Sequence, residues 1–349
     1  MNILTKSSLK KFPEYDNHKS IVYLNNPKTG LKGFIAFHKN SKSTPSFGAT
    51  RYLKYKSEKE ALRDALRLSR LMSYKSAMAG LKYGGAKAVI MRNDKFSKEE
   101  ILKSYSQYLN RLSGKFITGT DVGLDLNEIK KMKNNCKYLV GIKSNPEKYT
   151  AIGIFVSIKV ISKKIFKTSN LKGRTYAIQG VGKVGYEFLK LIYKNASNIY
   201  ISDTNNKRLK FVHEIFPKTI IVKPSEIHKQ QVDIYMPCAL SYGLNKKSVN
   251  ELNCKIIAGS ANNQLESIAV ADRIQNRNIF YAPDYVINAG GLISVVDEYK
   301  HNNFSAKRIK DGVSKIKYTI EKITNESFKK NISPARIANE IAEKIIHKM

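Results

Sequence analysis

The sequence predicts an α/β protein of two domains, and three observations carry that expectation. After about residue 150, five short apolar runs alternate with stretches of helical periodicity. The first of those runs ends in a spaced glycine triplet. Before residue 150, two amphipathic helical stretches, each with a start signal, flank a glycine-rich segment that leads into a strand.

In the N-terminal part, residues 57–74 read "SEKEALRDALRLSRLMSY". Ser57 and Glu60 form a Ser-x-x-Glu start signal, and Leu62, Ala65, Leu66 and Met72 recur at helical spacing. Residues 97–112, "SKEEILKSYSQYLNRL", repeat the pattern with Ser97 and Glu100. Between them lies "GLKYGGAKAVI", residues 80–90, which places Lys87 at a loop-to-strand junction before "KAVIM". A lysine at a strand start ordinarily snorkels into water. Two glycines and an alanine just ahead of it imply instead close backbone packing, which desolvates the amine, lowers its pKa and makes Lys87 a proton-transfer group.

In the second part, "RTYAIQG" (174–180), "NIYISD" (198–203), "VDIYMP" (232–237), "KIIAGS" (255–260) and "NIFYAP" (278–283) predict strands of a parallel sheet. Gly180, Gly182 and Gly185 follow the first strand and open a helical pattern, and Asp203 ends the next strand about 20 residues on. That context makes the triplet a Rossmann-type dinucleotide fingerprint. Gly180 makes the tight turn, Gly182 lets a pyrophosphate approach the backbone, and Gly185 allows close helix–strand packing, with the helix N-terminus facing the phosphates. Asp203 suits a ribose 2′-hydroxyl and repels a 2′-phosphate, which favours NAD over NADP; Lys207 and Arg208 nearby pull the other way. The expected domains are residues 1–149, joined by C-terminal helices from about 326 to 349, and a dinucleotide-binding domain over 150–325, with a cleft between them. Two last amphipathic helices are expected at about 305–325 and 333–347.

Composition narrows the function. The formal net charge is +34, yet the lysines are spread along the whole chain without the arginine and aromatic interleaving of a nucleic-acid groove. No specific nucleic-acid partner is expected, and no run approaches the ~20 apolar residues of a membrane span. Cys136, Cys238 and Cys254 are widely spaced, which suits a reducing cytoplasm and no metal site.

Set in order, these segments resemble the glutamate/leucine/phenylalanine/valine amino-acid dehydrogenases, most closely the leucine and phenylalanine branch. The likeness rests on "DALRLSRLMSYKSAMAGLKYGGAKAVI", "ITGTDVG", "TAIGIF", "AIQGVGKVG", "MPCAL", "IAGSANNQL" and "YAPDYVINAGG", in the family's order. It implies reversible, NAD-dependent oxidative deamination of an L-amino acid to the 2-oxo acid and ammonia by a homo-oligomer. Lys87 then corresponds to the catalytic lysine that acts as base toward water, and Asp121 to the carboxylate that binds the substrate ammonium and shuttles its proton. Lys75 would hold the α-carboxylate, helped by the backbone of Gly48 and the side chain of Asn288. Gly84 and Gly85 would keep the pocket floor low. Thr150 opens the linking helix, and Ala239, Asn262 and Asn263 belong to segments flanking the nicotinamide. The plainer alternatives are a turn residue for Asp121, a solvated charge for Lys75 and a helix cap for Asn288. For the whole chain, the alternative is a non-catalytic NAD-binding protein with a polyanion-binding surface.

The resemblance also bears on substrate. Phe47 and Val295 stand where glutamate-specific members place a lysine and a serine, so a distal carboxylate would be buried without a partner. Gly119 and Leu292 match the phenylalanine branch, and Gly119 opens room for a ring. An aromatic substrate is therefore favoured over a branched aliphatic one. Ala49, Ala86 and the short loop "GIKSNPEKYTA" depart from the family pattern.

Overall fold

The computed structural model describes residues 2–39, 44–239 and 243–348, and the chain divides into two compact units. The first comprises residues 1–144, 298–304 and 342–349, and the second residues 145–297 and 305–341. Of the C-terminal stretch expected to join the first unit from about residue 326, only residues from 342 do so. The helix Ile316–Lys330 packs instead on the helix Pro146–Ile165 in the second unit.

The first unit is built on a mixed sheet of strands β1 (Asn2–Ile3), β2 (Ser20–Asn26), β3 (Leu31–Phe37), β4 (Ser46–Phe47), β5 (Thr50–Leu53), β6 (Gly84–Met91) and β7 (Phe116–Ile117). Strands β1, β2, β3 and β6 pair antiparallel, whereas β4 and β5 run parallel to β6 and β7 runs parallel to β4. β6 is the central strand and seven of its eight residues are buried, so it reads as a near-continuous apolar run. Its one charged residue is Lys87. Strand β6 begins at Gly84, so Lys87 is not at a loop junction but inside the strand, opposite Ala36 of β3.

The helix Glu58–Met78 packs on one face of this sheet, and the helix Lys98–Arg111 on the other. At the first helix start, the Ser57 hydroxyl accepts from the Glu60 amide at 3.2 Å, but the Glu60 carboxylate takes the Lys56 amide and not that of Ser57. Ser97 makes no side-chain cap at all. The complete capping box is at Asp125 and Glu128, ahead of the helix Leu126–Lys133.

The second unit holds a wholly parallel six-stranded sheet: β8 (Tyr176–Gln179), β9 (Ile199–Ser202), β10 (Thr219–Ile221), β11 (Val232–Pro237), β12 (Cys254–Ile257) and β13 (Phe280–Tyr281). The strand order β10-β9-β8-β11-β12-β13 is that of a doubly wound nucleotide-binding sheet. Its order reverses between β8 and β11, and ligands of such sheets bind at that switch point. β10, edge-lying and three residues long, is a strand that the apolar-run pattern does not single out.

Candidate functional site

In the first unit, the side chains of alternate β6 residues leave the same face of the sheet. Gly85 and Lys87 therefore point toward the helix Glu58–Met78. A Cβ at Gly85 would lie 2.0 Å from the Ser73 amide nitrogen, so this glycine is what lets the helix come down onto the strand. The consequence is burial: Lys87 is only 5 % exposed. Desolvation lowers its pKa, partly opposed by the carboxylate of Asp121, with which it forms an ion pair.

Asp121 is placed by backbone. The segment 119–122 is fastened to β5 by hydrogen bonds from the Thr50 amide to the Gly119 carbonyl and from the Tyr52 amide to the Val122 carbonyl, both 3.0 Å. Arg51 lies between Thr50 and Tyr52, and its Nε donates to Asp121 Oδ2 at 3.2 Å. Burial works to raise the Asp121 pKa, but Lys87 and Arg51 outweigh it and hold the carboxyl at about 2. Arg51 also donates from Nη1 to Asp64 Oδ2 at 2.9 Å, and Asp64 accepts from Tyr55 (2.7 Å) and Arg67 (2.6 Å). The cation that bears on Lys87 is thus Arg51, which the sequence reading missed. Lys75 is half-buried and lies eleven residues beyond Asp64 on the same helix, three turns on and so on the same face.

Two further expectations need correction or a different reason. The Gly48 amide is already spent on the Ile117 carbonyl at 3.1 Å, so it is not a ready donor for a carboxylate. A Cβ at Gly119 would come within 2.8 Å of the Val140 carbonyl oxygen. The glycine there answers a close approach of two backbone segments, not a need for room around a ring. Phe47 is buried, and packs edge-on against Tyr83 (ring centroids 4.7 Å apart) and Tyr299 (5.3 Å). These two tyrosines were not read from the sequence, because residues 36 and 252 positions away give no local signal.

The second unit carries the other candidates. Gly180 has φ +95°, and a Cβ there would lie 2.9 Å from the Ala239 amide nitrogen. Gly180 and Ala239 therefore face each other at the ends of β8 and β11, at the switch point. Nothing lies within 4 Å of a Cβ at Gly182, whereas one at Gly185 would meet the Gly180 carbonyl oxygen at 2.2 Å. The helix Lys183–Ile192 starts at this turn. Asp203 accepts from the Val181 amide through Oδ2 and from the Asn205 amide through Oδ1, both at 2.9 Å. Leu240, the last residue of the "MPCAL" segment, lies outside the described residues.

Thr150 does not open its helix, which starts at Pro146 after the Asn145 cap; its hydroxyl donates back to the Pro146 carbonyl at 2.8 Å and sits against Gly291. Asn288 caps nothing with its side chain: Nδ2 donates to the Ser260 carbonyl (3.2 Å) and to Asn262 Oδ1 (3.1 Å). Asn288 Oδ1 and Asn263 Nδ2 are buried without a hydrogen-bond partner. Leu292 is buried and Val295 half-buried on the helix Gly290–His301.

These residues fit a dinucleotide. The open backbone above Gly182 admits a pyrophosphate at a helix N-terminus. The orphaned acceptor of Asn288 and donor of Asn263 complement a carboxamide, which has one of each. Among the described residues, no group of three or more His, Cys, Asp or Glu side chains is placed to hold a metal ion. No described helix is long and apolar enough to cross a membrane.

Comparison with known proteins agrees with this chemistry. The family model for the Glu/Leu/Phe/Val dehydrogenase dimerisation domain matches residues 18–138, and that for glutamate/leucine/phenylalanine/valine dehydrogenase matches residues 203–345. A leucine dehydrogenase from Bacillus subtilis is 36 % identical over 348 residues, covering 98 % of this chain and 94 % of that protein. A phenylalanine dehydrogenase from Lysinibacillus sphaericus is 35 % identical, covering 96 % and 90 %. The crystal structure of L-tryptophan dehydrogenase from Nostoc punctiforme superposes with a TM-score of 0.80 at 32 % identity, covering 99 % of both chains. Fold and relatives together define an oxidoreductase acting on the CH–NH2 group, an amino-acid dehydrogenase. The chain belongs to the glutamate/leucine/phenylalanine/valine dehydrogenase family. Membership sets aside the non-catalytic alternative.

Proposed function

We propose that the protein catalyses the reversible, NAD-dependent oxidative deamination of an apolar L-amino acid, an aromatic one in preference to a branched aliphatic one. The observation that carries this reading is the buried Lys87–Asp121 ion pair on the central strand of the first unit. Burial lowers the Lys87 pKa, so the amine gives up its proton more readily than an exposed lysine, as a base requires. The bound dinucleotide supplies the hydride acceptor for the substrate Cα.

The remaining work falls to the chain. Lys75 holds the substrate α-carboxylate as a fixed cation, and Asp121 meets its amino group. Once the substrate carries a C=N bond, neutral Lys87 takes a proton from the water that adds to that carbon. As the C–N bond breaks, Lys87 returns that proton to the departing nitrogen and the new hydroxyl loses its own to solvent as the C=O bond forms, so ammonia leaves and Lys87 ends the cycle neutral. With its carboxyl held at about 2, Asp121 stays an anion throughout the working pH range. It serves as an anchor for cations, and any proton passing over it does so transiently. Gly180, Gly182 and Gly185 hold the pyrophosphate and Asp203 the adenosine ribose. Thr150, Ala239 and Asn262 belong to the nicotinamide side, and Asn288, expected to help hold the α-carboxylate, is tied to that side by its bond to Asn262.

The aromatic preference draws support from Phe47 with Tyr83 and Tyr299 packed edge-on to it. Such ring clusters favour a further ring over an aliphatic chain of equal area. The absence of any lysine at position 47 argues against glutamate. The model matching residues 18–138 is described as a dimerisation domain, which supports a homo-oligomer, and the three cysteines, none in a disulfide, suit the cytoplasm.

The test is reduced-nucleotide formation at 340 nm with a panel of L-amino acids, with NAD and NADP in separate series. Phenylalanine, tryptophan or tyrosine leading the rank order with NAD supports the proposal. Glutamate leading, or NADP preferred, contradicts it.

A further inference from the structure

Resting on the reading of Lys87 as the base, we infer that Arg51, clamped by Asp64, is a positioning residue of the reaction: it anchors Asp121 as a permanent second counter-cation, so that Lys87 is the member of the trio that can give up its proton. The geometry is specific. β5 and β6 run parallel with Arg51 paired to Val89, two residues beyond Lys87. Arg51 and Lys87 therefore leave the same face of the sheet, one pleat apart. Both reach the same oxygen, Asp121 Oδ2.

Two carboxylates, Asp121 and Asp64, face three cations, Lys87, Arg51 and Arg67, so the cluster has one positive charge too many. Guanidinium does not deprotonate in a protein, whereas an ammonium does. The excess is therefore relieved at Lys87. Without Arg51, Asp121 would balance Lys87 and Asp64 would balance Arg67, and the ammonium would be retained to higher pH.

Asp64 explains how Arg51 itself is held. It sits on the helix Glu58–Met78 and accepts from Arg51, Tyr55 and Arg67, with one oxygen shared by Arg51 and Tyr55 and the other taken by Arg67. The charged groups bearing on Lys87 from each packed element are Asp121 from the segment after β7, Arg51 from β5 and Asp64 from the helix. The same helix carries Lys75 three turns further on. Arg51 is only 8 % exposed. An arginine whose Nε and Nη1 reach two different carboxylates is fixed in orientation, and lysine cannot reproduce that arrangement.

The experiment compares the native enzyme with Arg51→Gln and Arg51→Lys by two readouts: kcat/KM against pH from 6 to 11, and the pH dependence of Lys87 acetylation by acetic anhydride, followed by mass spectrometry. Arg51→Gln drops the charge and keeps a donor. Its Lys87 titration and the rising limb of kcat/KM are expected to move to higher pH by on the order of one unit. Arg51→Lys keeps the charge and loses the two-way grip, so its limb stays near the native position while kcat falls. A folded Arg51→Gln whose Lys87 titrates as in the native protein, with activity lowered equally at every pH, overturns the inference and leaves Arg51 a structural role. The labelling readout needs no turnover. An enzyme silent with every amino acid would thus defeat the proposed function, while the Lys87 titration still decides the role of Arg51.

Discussion

The two units solve opposite problems. In the first, three buried or nearly buried charged side chains, Lys87, Arg51 and Asp121, are brought together at a central strand that carries no other charge. In the second, the candidate site is mostly backbone: a positive-φ glycine, an open helix N-terminus and a carboxylate occupied by main-chain amides. The first arrangement stores electrostatic free energy, because each charge is held in place by its partners and removing one leaves another unpaired. The second stores shape, because its capacity to bind depends on where no Cβ exists. Proton chemistry needs the former, and holding a polyphosphate needs the latter.

The largest effect that separates them is expected from Asp121→Asn. It deprives Lys87 and Arg51 of their shared anion, and kcat/KM for the best amino acid should fall by about 10³-fold, with the nucleotide dissociation constant, read by fluorescence, nearly unchanged. Weakened nucleotide binding of comparable size would break the division of labour. Gly180→Ala is the converse. Forcing φ +95° on a residue with a Cβ costs about 1–2 kcal/mol, so nucleotide binding should weaken roughly tenfold while the Lys87 titration stays where it was.

Acid should separate the units a third way. His18, buried beside Leu66 and Ser69, has its pKa lowered to about 4, chiefly by desolvation. A histidine kept neutral in the fold contributes stability that is complete above its unfolded pKa of about 6.5 and drains away as pH falls toward 4. Hydrogen exchange should accordingly show β2 and β3 losing protection between pH 7 and pH 4.5 by roughly 2 kcal/mol, and β8 and β11 losing less. Equal loss in both units would contradict the assignment. The smallest effect is expected from Gly119→Ala. Its methyl meets the Val140 carbonyl, so phenylalanine and leucine should suffer alike, by a few-fold. Selective loss of the aromatic substrate would restore the view that this glycine makes room for a ring.

What could be read from the sequence divides along the same line. The glycine triplet, its strand and helix, and Asp203 lie within about 30 residues, so their spacing alone encodes the turn. Lys87 also announced itself locally, through the glycines that bury it. Arg51 and Asp64 did not: an arginine in a short strand and an aspartate in an amphipathic helix look like ordinary surface charges until the fold sets them 2.9 Å apart. The same holds for Tyr299 against Phe47, joined only by tertiary packing. The Ser97 start signal marks the helix start correctly, at Lys98, yet the Ser97 hydroxyl makes no cap bond, so the pattern located the helix without reporting the contact. Sequence spacing reports interactions within a turn or two, and contacts made by a sheet lie beyond it.

The central claim is that the Lys87 amine, buried against Asp121, is the base of an amino-acid dehydrogenase. The most direct measurement is reduced-nucleotide formation from L-phenylalanine, L-tryptophan and L-leucine between pH 6 and 11, for the native enzyme and Lys87→Ala side by side. The account predicts a native kcat/KM that rises as one group loses its proton below the ordinary lysine range. In Lys87→Ala that limb should be absent and activity should be about 10²- to 10⁴-fold lower, with the nucleotide still bound. A Lys87→Ala enzyme that keeps the native pH limb and most of its activity would show that the base lies elsewhere.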